Sequence, residues 1–159
     1  MTNIFDLPLQ DLLFFVKEGC HSTMDELLDE LVILISDLQM NSSESSYPKN
    51  FPVLVRNFAT DIHKALRYEE KNLFPLIEAG NFGHAQASID VAQEDHVRIK
   101  LKLEKVLEFT ETHNLVESED AGIIHILSKL HEIEVSLTNL IHIEEDILFP
   151  MTMKTYLEN

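Results

Sequence analysis

A single cysteine, Cys20, stands in a chain of 159 residues, so no disulfide can form within the chain and no thiolate cluster can hold a metal or an iron-sulfur centre. Any metal site must therefore be built from histidine and carboxylate. Glycine and proline are scarce, at four and five residues, which leaves few obligatory turns and favours long helices over many short strands. Basic residues are scarce too: 12 Lys and Arg against 28 Asp and Glu give a formal charge of −16. Such a chain repels phosphate backbones and anionic lipid, because binding either needs clustered cations to replace released counterions. Neither nucleic acid nor a membrane surface is an expected partner. The ordinary meaning of that acidity is solubility, and attraction for cations is the other. No apolar run approaches the roughly 18 residues of a membrane span, and the opening Met1-Thr2-Asn3-Ile4-Phe5-Asp6 lacks the basic and apolar regions of a signal peptide. The cytoplasm is the expected location. No nucleophile triad or phosphate-binding loop is recognisable, so no enzymatic turnover is assigned.

What remains is 45% apolar, enough for one packed core in a chain of single-domain length. Four segments carry apolar residues at three- and four-residue steps, the helical period. They predict an all-α protein with main helices over about 9–38, 53–79, 85–112 and 120–156. The Ser/Asn-rich stretch Asn41 to Asn50 reads as a loop, and Gly80-Asn81-Phe82-Gly83 as a helix C-cap followed by a short connection. Short connections favour an up-down-up-down four-helix bundle. Pro75 and Pro150 fall inside helical segments, where a proline removes a hydrogen bond and clashes with the preceding turn, so each is expected to kink or end its helix.

Both prolines belong to the tripeptide Leu-Phe-Pro, at Leu73-Phe74-Pro75 and Leu148-Phe149-Pro150, and each tripeptide follows a Glu-Glu pair. One constant offset relates Glu69 to Glu144, Pro75 to Pro150 and His21 to His96. The histidine therefore precedes the glutamate by the same distance in each copy, on the first helix of a pair and the second respectively. A duplicated helical hairpin accounts for this.

Helices turn about 100° per residue, so positions three, four and seven apart share a face. His21 shares a stripe with Phe14, Met24, Leu28, Leu31 and Ile35, and His96 one with Ile89, Ala92, Ile99, Leu103 and Val106. Glu69 shares a stripe with Phe58, Ile62, Ala65, Leu73 and Leu76, and Glu144 one with Ile133, Leu137, Leu140, Ile147 and Leu148. All four are expected to face the core, where an ionised carboxylate must be paired, protonated or metal-bound. One polar group from each of four helices is how bundles build carboxylate-bridged metal sites. Two readings are open on this pattern: His21, Glu69, His96 and Glu144 ligate metal, or they form a metal-free set of His-Glu hydrogen bonds. The other histidines, His63, His84, His113, His125, His131 and His142, read as surface residues.

These motifs resemble the hemerythrin-like, HHE cation-binding domains, and within them the C-terminal domain of the iron-sulfur cluster repair (repair of iron centres) proteins. The resemblance covers nearly the whole chain and rests on Glu-Glu-Lys-Asn-Leu-Phe-Pro at 69–75, His-Ile-Glu-Glu-Asp-Ile-Leu-Phe-Pro at 142–150 and Glu94-Asp95-His96. It implies a non-haem di-iron centre held by His21, Glu69, His96 and Glu144, with the glutamates bridging. It also implies a histidine one turn before each glutamate, but Ala65 and Leu140 stand there. His63 and His142 lie two residues away, on another face of an undistorted helix. Asp25, one turn after His21, is the better candidate for a further ligand, with Glu70 and His63 also considered; Lys100, one turn after His96, is better suited to pairing with a carboxylate. The cysteine-bearing N-terminal domain of many repair proteins is not expected in this chain. The implied function is iron supply, cluster repair or a nitric oxide and oxidative stress response, with O2, NO or peroxide as ligand. A degenerate metal-free bundle serving as a structural or interaction module is the alternative.

Overall fold

The computed structural model describes residues 3–42 and 46–159; residues 43–45 of the expected loop, and Met1 and Thr2, lie outside the described set. Among the described residues there are helices and no strands. The first bundle helix is α1 (Leu9–Phe14), a π-helical segment (Phe15–His21) and α2 (Ser22–Asn41) in continuous succession. The second is α3 (Phe51–Asn72) and α4 (Phe74–Glu78), the third is α5 (Phe82–Thr112), and the fourth is α6 (Ala121–Ile143), a π-helical segment (Glu144–Leu148) and α7 (Phe149–Glu158). α2 packs on α3 and α6, α3 on α5, and α5 on α7, which is the up-down-up-down arrangement. Leu28, Leu31, Ile35, Phe51, Ile62, Ala92, Ile126 and Ile133 are among the fully enclosed side chains of its core.

The helix ends follow local chemistry. α3 starts at Phe51, two residues earlier than its apolar period predicts, because Pro52 sits in the first turn, where a missing N–H costs nothing. α4 closes on Gly80 at φ 73°, with Asn81 N donating to Leu76 O at 2.8 Å and Gly80 N to Ile77 O at 3.1 Å, a Schellman pair that satisfies the last carbonyls. α5 begins at Phe82 rather than Ala85, taking Gly83 into its first turn against the Tyr156 ring. Asp120 caps α6 by accepting from Gly122 N at 2.8 Å and Ile123 N at 3.3 Å.

The two π segments decide which side chains face inward. Each π turn adds one residue to the helical repeat and rotates everything beyond it by one position. A regular helix through His21 would bury Phe14, yet Phe14 is 67% exposed. Leu12, Leu13 and Val16 are buried in its place, which corrects the predicted stripe by one residue. In the fourth helix the π turn brings Phe149 and Thr152 inward beyond Glu144. It also accommodates Pro150, which neither ends nor breaks that helix. The second helix reaches the same phase by another route. It is interrupted at Leu73 (φ −111°, ψ −56°) ahead of Pro75, and Phe74 and Ile77 then turn inward.

The shifted register predicts unequal costs at neighbouring positions. Leu13→Ala should cost about 2 to 5 kcal/mol by denaturant unfolding, as for a fully buried leucine, and Phe14→Ala no more than about 0.5 kcal/mol. An uninterrupted helix would reverse that order.

Candidate metal centre

His21, Glu69, His96 and Glu144, at 1%, 1%, 3% and 0% exposure, are the charged or titratable side chains buried in the bundle interior among the described residues. His21 Nε2 lies 3.0 Å from Glu144 Oε1. His96 Nε2 lies 3.5 Å from Glu144 Oε2 and 3.8 Å from Glu69 Oε2. One donor atom each from His21, Glu69 and Glu144 falls within 4.8 Å of the others. Each glutamate thus has its nearest histidine in the other half, Glu144 at His21 and Glu69 at His96, while His96 also lies close to Glu144 of its own half.

The outer nitrogens repeat the symmetry. His21 Nδ1 faces Glu70 Oε2 at 3.6 Å, and His96 Nδ1 faces Glu145 Oε2 at 3.2 Å. Glu70 and Glu145 are the second members of the two Glu-Glu pairs and are related by the same offset as the inner ligand candidates. Each imidazole is also backed by the phenylalanine of its own half, Phe74 at 5.0 Å from His21 and Phe149 stacked at 6.0 Å on His96. The repeated Glu-Glu and Leu-Phe-Pro motifs thus place one carboxylate inside, one carboxylate on the far side of a histidine, and one ring against its face.

The electrostatics follow from that enclosure. The nearby His21 imidazole, with Arg67 assisting, holds the Glu70 carboxyl below its ordinary value against the opposing effect of burial. Burial works against a charge on His96, but Glu69 and then Glu145 outweigh it and raise its pKa above the ordinary 6.5. Four enclosed atoms, His21 Nδ1, Glu69 Oε1, His96 Nδ1 and Glu144 Oε2, make no hydrogen bond. Orphaned buried polar atoms are rare in folded proteins, and two of these are carboxylate oxygens without a donor, which a cation satisfies. The spacing suits one as well. Donors bound about 2.1 Å from a common ion are about 3.0 to 4.2 Å apart, the range of the crossed His-Glu distances. The donor set fits a metal.

Other candidates lie elsewhere. Asp25 accepts from His63 Nδ1 at 3.1 Å and pairs with Arg67, and Arg67 in turn pairs with Glu70. Asp25 is thus engaged outward, and His63 is half-buried in that network rather than free on the surface. Glu70 stands behind His21. Lys100 is exposed and borders a depression with His142 and Glu145. His84, His113, His125, His131 and His142 are exposed as predicted. Glu145 is not marked by any periodic stripe, although its offset from Glu70 carries the signal. Ala65 and Leu140 are buried at 5% and 3%, each one turn before its glutamate.

Residues 18–152 match the hemerythrin HHE cation binding domain. The chain belongs to this family. Three similar proteins carry the name iron-sulfur cluster repair protein YtfE. That of Musicola paradisiaca is 27% identical over 150 residues, covering 92% of this chain and 67% of its own length. That of Pectobacterium carotovorum is 25% identical, covering 94% and 68%, and that of Yersinia pseudotuberculosis is 24% identical, covering 92% and 67%. This hemerythrin-family chain thus spans about two thirds of each relative. No helix among its described residues is long and apolar enough to cross a membrane.

A group whose pKa is raised on folding adds stability that is complete below its ordinary value and is lost as pH rises through the folded value. The stability difference between the metal-free protein and its His96→Gln variant should therefore be largest below pH 6.5 and shrink as pH rises, measured by urea unfolding at stepped pH. A difference that grows with pH would show that His96 is buried uncharged.

Proposed function

We propose that the chain is a non-haem iron protein of the hemerythrin family in which His21, Glu69, His96 and Glu144 hold the metal, and that it serves iron supply or iron-sulfur cluster repair under nitric oxide or oxidative stress. The observation that supports this most is the convergence of two histidines and two glutamates in an otherwise apolar interior with two carboxylate oxygens lacking a donor. Two glutamates set between two histidines suit a carboxylate-bridged pair of ions, as helical bundles build them. The cytoplasm is the location we assign with it.

When bound, iron with imidazole and carboxylate ligands supplies open positions for O2, NO or peroxide. The chain's own residues prepare the site. Glu70 and Glu145 favour a proton on Nδ1 of their histidines, which leaves each Nε2 lone pair directed inward; metal-bound histidines usually have such a partner. Arg67 clamps Glu70 from outside, tying it to Asp25. Phe74 and Phe149 fix the ring planes and keep water from their faces. With Ala65 and Leu140 where the family has histidine, fewer protein ligands are available, so metal is held less tightly and released more readily. That suits supply or repair better than permanent storage.

Leu140, buried and apolar, favours the second reading of a metal-free bundle, and one pair of measurements separates the two. Protein purified anaerobically and reconstituted with iron should hold about two ions per chain. Glu69→Gln with Glu144→Gln should abolish that uptake while metal-free stability stays level or rises, because buried charge is removed. If the glutamates serve only as partners of the histidines, the double variant loses about 1.5 to 3 kcal/mol for each charged hydrogen bond, and the parent takes up no iron. Restoring histidine by Ala65→His and Leu140→His should tighten iron binding.

A further inference from the structure

The two missing histidines are not replaced alike. Leu140 fills its position, whereas Ala65 forms the floor, with Ile99, of a cavity of about 300 Å³ between α3 and α5. Ala65 is one turn from Glu69 and Ile99 one turn from His96, so the floor adjoins two of the four candidate ligands. The rim is charged. Lys102 pairs with Asp61 and Arg98 with Asp95, while Lys64, also on the rim, is exposed and has no ion pair among the described residues. A second cavity of about 450 Å³ continues along the same groove, sharing Asp61, Lys64 and Lys102 and adding Lys105. Four of the 12 basic residues of a chain with net charge −16 thus line one groove.

The internal repeat shows that this charge is not a by-product of the fold. Under the offset that relates the two copies, Asp61, Lys64, Asp95, Arg98 and Lys102 correspond to Ser136, Asn139, Cys20, Thr23 and Leu27. All five positions are ionic in one copy and uncharged in the other. Around His and Glu positions that are the same in both halves, these five rim positions have diverged, and Lys105 further along the groove corresponds to Glu30.

We propose that this groove is a binding site for a small inorganic anion, and that it delivers the anion to the metal centre through the gap over Ala65, while Leu140 closes the corresponding approach. Lys64 supplies the charge left over after the two rim ion pairs, and the adjoining Lys105 extends it outward. A locally cationic cleft in an acidic protein concentrates anions that the rest of the surface repels. The side chain removed at Ala65 leaves both the space and the coordination position that such an anion takes. This rests on the metal reading above for its second half only, since the groove exists in the metal-free chain.

Azide titrated into the metal-free protein should give saturable amide shifts confined to the groove around Lys64, Ala65, Asp95, Arg98, Ile99 and Lys102. These should weaken about tenfold when the rim is given the residues of the other copy by Lys64→Asn and Arg98→Thr. In iron-loaded protein, azide association followed by stopped-flow absorbance should slow at least about tenfold in Ala65→Leu, with iron content measured on the same sample. Shifts that do not saturate, or that persist unchanged in the rim variant, overturn the anion site. Unaltered association in an iron-replete Ala65→Leu protein overturns the delivery route. If Ala65→Leu fails to load iron, the rim variant replaces it in the stopped-flow measurement, and an unchanged rate there overturns the route equally. A parent protein that takes no iron refutes the metal reading and the route with it, leaving the anion site to be decided by the amide shifts.

Discussion

The interior of this bundle must accommodate four ionisable side chains where water does not reach them. A carboxylate removed from water costs several kcal/mol unless something of opposite charge or good hydrogen-bonding geometry replaces the solvent. The fold meets that demand by bringing the four together from four different helices, so that they compensate one another inside the core, with Glu70 and Glu145 behind the histidines. The compensation is incomplete, because two carboxylate oxygens face no donor. Much else in the structure serves to keep the quartet in register: the Phe rings against the imidazoles, the outer glutamates behind them, and the Arg67 clamp.

Register is also the common thread of the helix irregularities. In both copies a proline stands six residues beyond the inner glutamate and a phenylalanine five beyond it, and in both the phenylalanine points inward. A regular helix cannot bury residues at both zero and five with the same stripe. One copy breaks its helix at Leu73 and restarts; the other widens one turn into a π segment. Two different backbone solutions deliver the same side-chain placement. The conformation of either segment is thus a consequence of where its ring must sit against a histidine.

Much of this is legible in the residues themselves. The four helices, the duplication and the inward direction of His21, Glu69, His96 and Glu144 follow from apolar period and repeat spacing, because burial acts directly on those patterns. Phe14 escapes the pattern because a π turn has no composition of its own; Gly19 within it is compatible but not diagnostic. Asp25 departs from expectation for a different reason. Its position one turn from His21 is correct, but Arg67 and His63 on the facing helix engage it, and partners across a helix interface are not visible in a one-dimensional pattern. Glu145 lies in plain view through its offset from Glu70, yet an exposed-looking carboxylate beside a buried one gives no periodic signal. Ala65 and Leu140 are both legible as departures, but the cavity over Ala65 depends on how α3 and α5 close.

The placing of each inner glutamate's nearest histidine in the other copy has a consequence for descent. Neither hairpin carries a complete constellation, so the ancestral single unit would have had to function as a self-associated pair, and fusion of the two units made that pairing permanent. From then on, selection at either inner glutamate would be felt through a histidine encoded in the opposite half. Those positions could not drift separately. The places where the halves now disagree, Asp25 against Lys100, Arg67 against His142, and the ionic rim against its uncharged counterpart, mark where the tie between the copies was loose enough for each to specialise.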